Sequence, residues 1–591
     1  MPPPISFTAG MPGVCSGARE KSMALEPTVN EAFAVGLRDP AIVMRLERMG
    51  CFHQTRLSFM RTLLRRLERE RWSIDRPVWR IDARGEGVAV YRARGPSSSY
   101  SLVCFAHHLE PEERTDRVIA ERWDATFALM EGDPSEADLK RLAANVPLQE
   151  AGRCSERELV LSRANKSVRL FEHVVERLAE GSQPDAGQIE AVGYLMRTTA
   201  VYGNGKFGVA DRDRIVGRPE FAGPFQAEML TVWLIRTFTV ELAEYLAKTQ
   251  SPANAVLLDR GLRRRLGVGN STGLGMAPFL VNHPSLLHAW MLARESALAR
   301  VRSLSRASPD AIERFMETLN KAVRQVAGWR TADLRQRERI AALGRDLKRL
   351  SAQTANEVLL NDMPWDTLYR WSEDTLSLEG QEMLVSLLIE PHGELVDDLA
   401  DSMGVDESAS FPIDGAMSVG QARHLIERDY DWALNTDYAR KEATARFWYV
   451  SEEKLEPRLG ERHAEPGAEL EQPFAVGRDV AALHAELCQA SDNASLANLL
   501  LAHPEHRHTL RRVQISARYA YAEIRDNLIS ASMVPVDLLR CKLSFFGATR
   551  FDPRSDRWVR ITMFKDAPFP DELGQVPGDD WAFPSAHAPC S

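Results

Sequence analysis

From Glu31 to Trp72 the apolar residues recur at helical spacing, punctuated by Pro27 and Pro40. The period then changes. In VWRIDARGEGVAVYRARGPSSSYSLVCFAHH, apolar and polar residues alternate across two Gly- or Ser-rich turns, which predicts a three-strand meander at 78–83, 88–91 and 101–105. The helical period returns in EERTDRVIAERWDATFALMEG, SERELVLSRANKSVRLFEHVVERLAEG and AGQIEAVGYLMRTTA. It continues through 222–250, 276–305, 308–327 and 332–353, where Ser308 ahead of Pro309 has the N-cap and first-turn chemistry of a helix start. Near the C-terminus, CKLSFFGATRFDPRSDRWVRITMF predicts a hairpin of strands 541–547 and 557–564 around a polar turn.

The expected fold is therefore mainly α (α+β): a large multi-helix body with two small antiparallel β units, one near each terminus. A chain of 591 residues is too long for one ordinary core and suggests about three or four units. The first, residues 1–26, reads as a disordered leader without the charged start and apolar centre of a secretory signal. Residues 27–180 hold the N-terminal helices and the meander, 181–401 a central helical domain, and 421–591 a C-terminal α+β domain. Between the last two, 402–420 is rich in Gly, Pro and acids and reads as a hinge, as does 455–475. There is no repeat of fixed period, so a solenoid is not expected.

Composition narrows the function classes. Hydrophobic residues at 44% and charged residues at 27% are ordinary for a globular protein. A net charge of −9 offers no global attraction to a polyanion, so nucleic acid is not an expected partner. The seven cysteines, at 15, 51, 104, 154, 488, 541 and 590, never form a CxxC pair and read as reduced thiols of a cytoplasmic protein. The most apolar run, FQAEMLTVWLIRTFTVELAEYLA, contains Glu228, Arg236 and Glu241, so no membrane span is expected.

Two glycine-rich stretches carry the candidate chemistry. RRRLGVGNSTGLGMAPFLVNHPSLLHAW (263–290) reads as a loop between helices: its glycines let the backbone approach a ligand, and the helix start beyond offers free N–H groups. A helical stretch precedes it rather than a strand, and the Gly-Lys-Ser/Thr ending is missing, so neither a dinucleotide fingerprint nor a P-loop is present. Arg265, Asn270, Ser271 and Thr272 are the candidate anion ligands there, and His283 a candidate base. The second stretch, RTTAVYGNGKFGVADRDR (197–214), offers Arg197 and Asn204 for binding and Tyr202 and Lys206 for proton transfer. Its Tyr-x-x-x-Lys order is similar to that of short-chain dehydrogenases, but Gly203 and Gly205 place the pair in a loop rather than on a helix face.

Metal signals fall short. HPEHRH and NHPSLLH lack a converging set of ligands, so no metal is assigned. DDLAD (Asp397, Asp398, Asp401) has the spacing of the diphosphate motif of class I terpene synthases without its partner motif downstream. RFWYVSEEKLEPR, from Arg446, mixes aromatic and charged residues that either line a pocket or pack two units together.

The leading expectation is a cytoplasmic metabolic enzyme for a small anionic substrate, a carboxylate or phosphate, held between the two glycine loops. Tyr202, Lys206 and His283 are its candidate catalytic residues; Arg197, Asn204, Arg265, Asn270, Ser271 and Thr272 its binding residues. No cofactor and no reaction class follow from the sequence. The expected partner is a small anionic metabolite, with a homo-dimer as a possible assembly. The alternatives are a non-catalytic helical scaffold or regulatory protein, and a magnesium-dependent enzyme of diphosphates using Asp397, Asp398 and Asp401.

Overall fold

Strands far apart in the chain meet in a single sheet. The computed structural model describes residues 34–49, 54–110, 122–147, 155–200, 212–215, 217–272, 284–331, 333–355, 357–404, 412–439, 447–451, 457–460, 468–469, 476–525, 540–548, 550–553, 559–575 and 581–583. Among them the strands are β1 (Ser73–Ile81), β2 (Gly87–Arg94), β3 (Ser99–Ala106), β4 (Ala125–Glu131), β5 (Glu158–Lys166), β6 (Tyr194–Thr198) and β7 (Gly267–Thr272), followed by β8 (Phe447–Ser451), β9 (Pro457–Gly460), β10 (Ala468–Glu469), β11 (Arg550–Pro553) and β12 (Val559–Met563). Nine strands form one sheet in the order β1-β2-β3-β4-β5-β6-β7-β12-β11, and β8 to β10 form a small one. Each neighbouring pair of the large sheet is antiparallel except β6–β7, which is parallel.

This corrects the expected fold class. The chain is helix-rich, but there are no two small β units at its ends: the meander β1–β3 begins the large sheet, and β11 and β12 finish it. Segment 541–547, expected as a strand, is a helical turn over Lys542–Phe546, and the hairpin lies beyond it. A short apolar run does not distinguish the two states. Packing decides, since the Phe545 ring packs tilted against Trp290 with centroids 3.8 Å apart and Phe546 lies 4.7 Å from Phe225.

Three segments read as continuous helix contain strands, and burial explains why. Nearly every residue of β4 and β5 is buried, so the alternation that marks a half-exposed strand is absent. One face packs Val103, Phe105, Ala128 and Met130 against Leu139 and Leu142 of helix α1 (Glu136–Asn145). The other turns Tyr91 and Phe127 edge-on to Phe238, at 6.4 and 5.7 Å, on helix α2 (Gln226–Gln250). Helix α2 is apolar almost all round because protein covers it on most sides. Among the described residues no helix is long and apolar enough to cross a membrane.

Helix α2 also joins the C-terminal strands to the sheet. Buried Arg236 donates to the carbonyl oxygens of Leu266 (2.6 Å), Arg264 (3.0 Å) and Ala567 (2.8 Å), and its guanidinium stacks 3.8 Å from the Phe569 ring. Trp233 Nε1 donates to the Pro568 carbonyl at 2.9 Å. One helix thus holds the start of β7 and the end of β12 together. Burial without a hydrogen-bonded carboxylate pushes the Arg236 pKa down to about 9.

A second buried arginine organises the helical body. Arg38 forks onto Glu295 (2.7 and 2.8 Å) of helix α3 (Pro284–Arg302) and reaches Glu382 (2.8 Å) of helix α4 (Leu378–Ile389). Burial alone would raise the Glu382 carboxyl, but Arg38 and Arg294 outweigh it and hold the pKa at about 2. Elsewhere local signals act as read: Ser308 caps helix α5 (Pro309–Gly328), accepting from Ala311 N–H at 3.2 Å.

Candidate functional site

Strand β7 answers what the first glycine-rich stretch does. Residues 267–272 are the strand itself, paired with β6 on one side and β12 on the other. Gly267 and Gly269 are needed by neighbouring chain: a Cβ on Gly267 would sit 2.3 Å from the Met563 carbonyl oxygen, and one on Gly269 would sit 2.8 Å from Arg197 Cγ and the Tyr194 ring. Because β6 and β7 run parallel, the chain leaves both at the same end of the sheet, at 199 and at 273. Tyr202, Asn204, Lys206 and His283 lie outside the described residues.

The register sorts the remaining candidates. Arg197 lies opposite Asn165 and beside Gly269, on the face that carries α1. Asn270 lies on the other face, where it donates to the Thr198 carbonyl oxygen at 2.9 Å and Thr198 bonds Ser162 at 2.8 Å. Ser271 and Thr272 are placed as β7 backbone, opposite Arg560 and Val559. Arg265 ends the short helix before β7. About five residues of extended chain, roughly 16 Å, separate it from Asn270. The three aspartates of DDLAD each face their own arginine: Asp397 with Arg56 at 2.6 Å, Asp398 with Arg300 at 2.7 Å, Asp401 with Arg66 at 3.4 Å. Among the described residues no group of three or more His, Cys, Asp or Glu side chains could hold a metal ion.

Arg197 belongs to a row that sequence reading missed. Arg163 is opposite Thr126, and Asn165, two residues on, is opposite Arg197, so Arg163, Asn165 and Arg197 share one face. Across β7, Arg560 pairs with Ser271 and takes the same side. Three arginines thus stand on one face, on β5, β6 and β12, with Arg163 and Arg560 about two residue levels beyond Arg197 and with β7 between β6 and β12. Adjacent strands are roughly 4.8 Å apart, less than the length of an arginine side chain, so the heads of Arg163 and Arg197 on β5 and β6 can share one ligand, and Arg560 approaches it from across β7. None of the three is without a partner. Arg197 is buried (8% exposed), while Arg163 and Arg560 are half-buried.

The row is framed at its β3–β4 end. Arg163 lies 4.2 Å over the Trp123 ring. His107 Nε2 stands 3.4 Å from Thr126 Oγ1, and burial holds its imidazole below its ordinary pKa, hence neutral at pH 7. Asn165 Oδ1 accepts from Asp124 N–H at 2.9 Å, and Lys166 N–H donates to Asp124 Oδ2 at 2.9 Å, which fixes the chain leading into β4. Sequence spacing carries no signal for this row, because its members lie between 107 and 560 and only strand register aligns them.

No family model, no curated protein and no solved structure matches this chain.

Proposed function

We propose that the protein is an enzyme for a small anionic metabolite, a carboxylate or phosphate, bound on the α1 face of the sheet by Arg163, Arg197 and Arg560. The observation that supports this reading is the register itself, which sets three arginines from three strands on one face beside the exit point of both glycine-rich segments. Guanidiniums on one face present paired N–H donors that match the two oxygens of a carboxylate or phosphate. Neutral His107 at the end of the row is positioned as a proton acceptor for a substrate long enough to reach it.

The test is thermal melting of the whole protein with phosphate, pyrophosphate and citrate, each against chloride at equal ionic strength. A ligand at about a hundred times its Kd stabilises by about 2.7 kcal/mol, a rise in Tm that is easily read. Wild type should respond to at least one of these anions, and Arg560→Gln should respond less. A flat response to all three, matched to salt alone, rejects the reading in favour of a non-catalytic scaffold.

A further inference from the structure

A second candidate site lies across the sheet from the arginine row and has the opposite charge preference. A cavity of about 610 Å³ opens between β1, helix α2 and the turn at Pro570 and Asp571. Trp79 and Tyr245 form an aromatic corner in its wall, with ring centroids 5.4 Å apart and edge-on, and Tyr245 is anchored by its hydroxyl donating to the Ile81 carbonyl at 2.6 Å. Two carboxylates, Glu241 and Glu244, face the cavity from one side of α2.

Their surroundings differ. Glu241 accepts from the Tyr91 hydroxyl at 2.7 Å and is paired with Arg76. Glu244 accepts one hydrogen bond, from Leu258 N–H at 3.1 Å, and forms no ion pair among the described residues. The cavity's own cations already have partners: Arg76 with Glu241 and Arg263 with Asp571 at 2.9 Å, both pairs within the lining, and Lys248 Nζ with the Pro252 carbonyl at 2.5 Å. Burial pushes the Glu244 carboxyl above its usual range, and the Leu258 N–H and the Arg263 charge offset this only in part. The Arg76 guanidinium lies 4.4 Å over the Trp79 ring, so this corner already attracts a cation.

We propose that this cavity binds an organic ammonium ligand, with Glu244 pairing the ammonium group and Trp79 and Tyr245 packing against the carbon skeleton. A half-buried carboxylate gains most from a partner that brings a positive charge and N–H donors together. An anionic ligand would meet Glu244, which has no ion pair among the described residues, while Arg76 and Arg263 are already paired with Glu241 and Asp571. The proposal does not rest on the arginine row, and either can fail without the other.

The experiment is calorimetric titration of the full chain with three primary amines, tyramine, cadaverine and spermidine, and with 4-hydroxyphenylacetate as the acid matched to tyramine. At least one amine should bind saturably and the acid should not. Glu244→Gln keeps an oxygen to accept from Leu258 N–H while removing the charge, and should weaken amine binding at least about tenfold, the scale of a lost charge-assisted hydrogen bond. Saturable binding of none of the three amines, equal binding of tyramine and its matched acid, or an amine affinity unchanged in a folded Glu244→Gln protein would each overturn the proposal. Should Glu244→Gln not fold, the wild-type contrast between tyramine and the matched acid decides alone.

Discussion

The two faces of the sheet at β5–β7 are one residue apart in sequence and differ in what satisfies their polar groups. On the α2 face, Thr198, Ser162 and Asn270 close on one another, and Arg236 spends its donors on fixed backbone carbonyls. On the α1 face, Arg163, Arg197 and Arg560 stand on three strands of one face. The same residue type does two jobs. An arginine that meets a ring of carbonyls is a structural pin; arginines gathered on one face offer paired N–H donors to an anion. The comparison therefore predicts a separation: substitutions on the α2 face cost stability, and substitutions on the α1 face cost ligand affinity.

The largest effect belongs to Arg236→Met. It leaves the carbonyls of Leu266, Arg264 and Ala567 without their donor in a buried site, and at about 1–3 kcal/mol for each buried unsatisfied group the loss should exceed about 3 kcal/mol in urea unfolding. An unchanged midpoint would show that β12 is held to α2 by something else. Next comes Gly269→Val, whose side chain meets Arg197 Cγ and the Tyr194 ring. It should cost about 1–3 kcal/mol by overpacking and also lower anion affinity, because the group displaced belongs to the row. Arg163→Gln should weaken the best anion from the melting screen about tenfold, near 1.4 kcal/mol, with a smaller change in stability. If it unfolds the protein instead, the division between the faces fails.

Smaller still is Asn270→Ala, expected to cost about 1 kcal/mol for the lost bond to the Thr198 carbonyl while anion affinity stays at the wild-type value. Altered affinity would put Asn270 back in the site. The least effect is a pH slope. Burial lowers the His107 pKa from 6.5, so below that pH the unfolded chain binds a proton that the folded chain does not. Stability should therefore fall as pH drops below 6.5, by at most about 1.4 kcal/mol per pH unit for this one group. His107→Gln should flatten that part of the profile in urea midpoints between pH 7 and pH 5, and an identical slope in both proteins would remove His107 from the account.

Part of this was legible before any coordinates. Ser308–Pro309 starts a helix because its capping is local chemistry, and the alternation of 78–91 lies on strands because β1 and β2 border solvent on part of their length. Arg197 stands out in the sequence as a loop residue, whereas it lies on β6. The small sheet β8–β10 falls where Phe447–Tyr449 and the 455–475 linker were noted, and nothing in the local pattern separates a short strand from a connection there.

Sequence alone determined the helices with their own caps, the absence of a long uncharged apolar run, and the two glycine-rich stretches as unusual. Tertiary structure alone decided what those glycines are for. Gly269 reads as a loop residue because no neighbour within the chain segment explains it; its reason is Arg197, which strand pairing brings alongside. Strands β4 and β5 read as helix because burial on both faces erases the period-two signal, and β12 reads as half of a separate hairpin because its partner β7 precedes it by nearly three hundred residues. Hydrophobic periodicity reports how one segment meets its surroundings, whereas a sheet's edge, its register and the company of an arginine are set by which other segment arrives beside it.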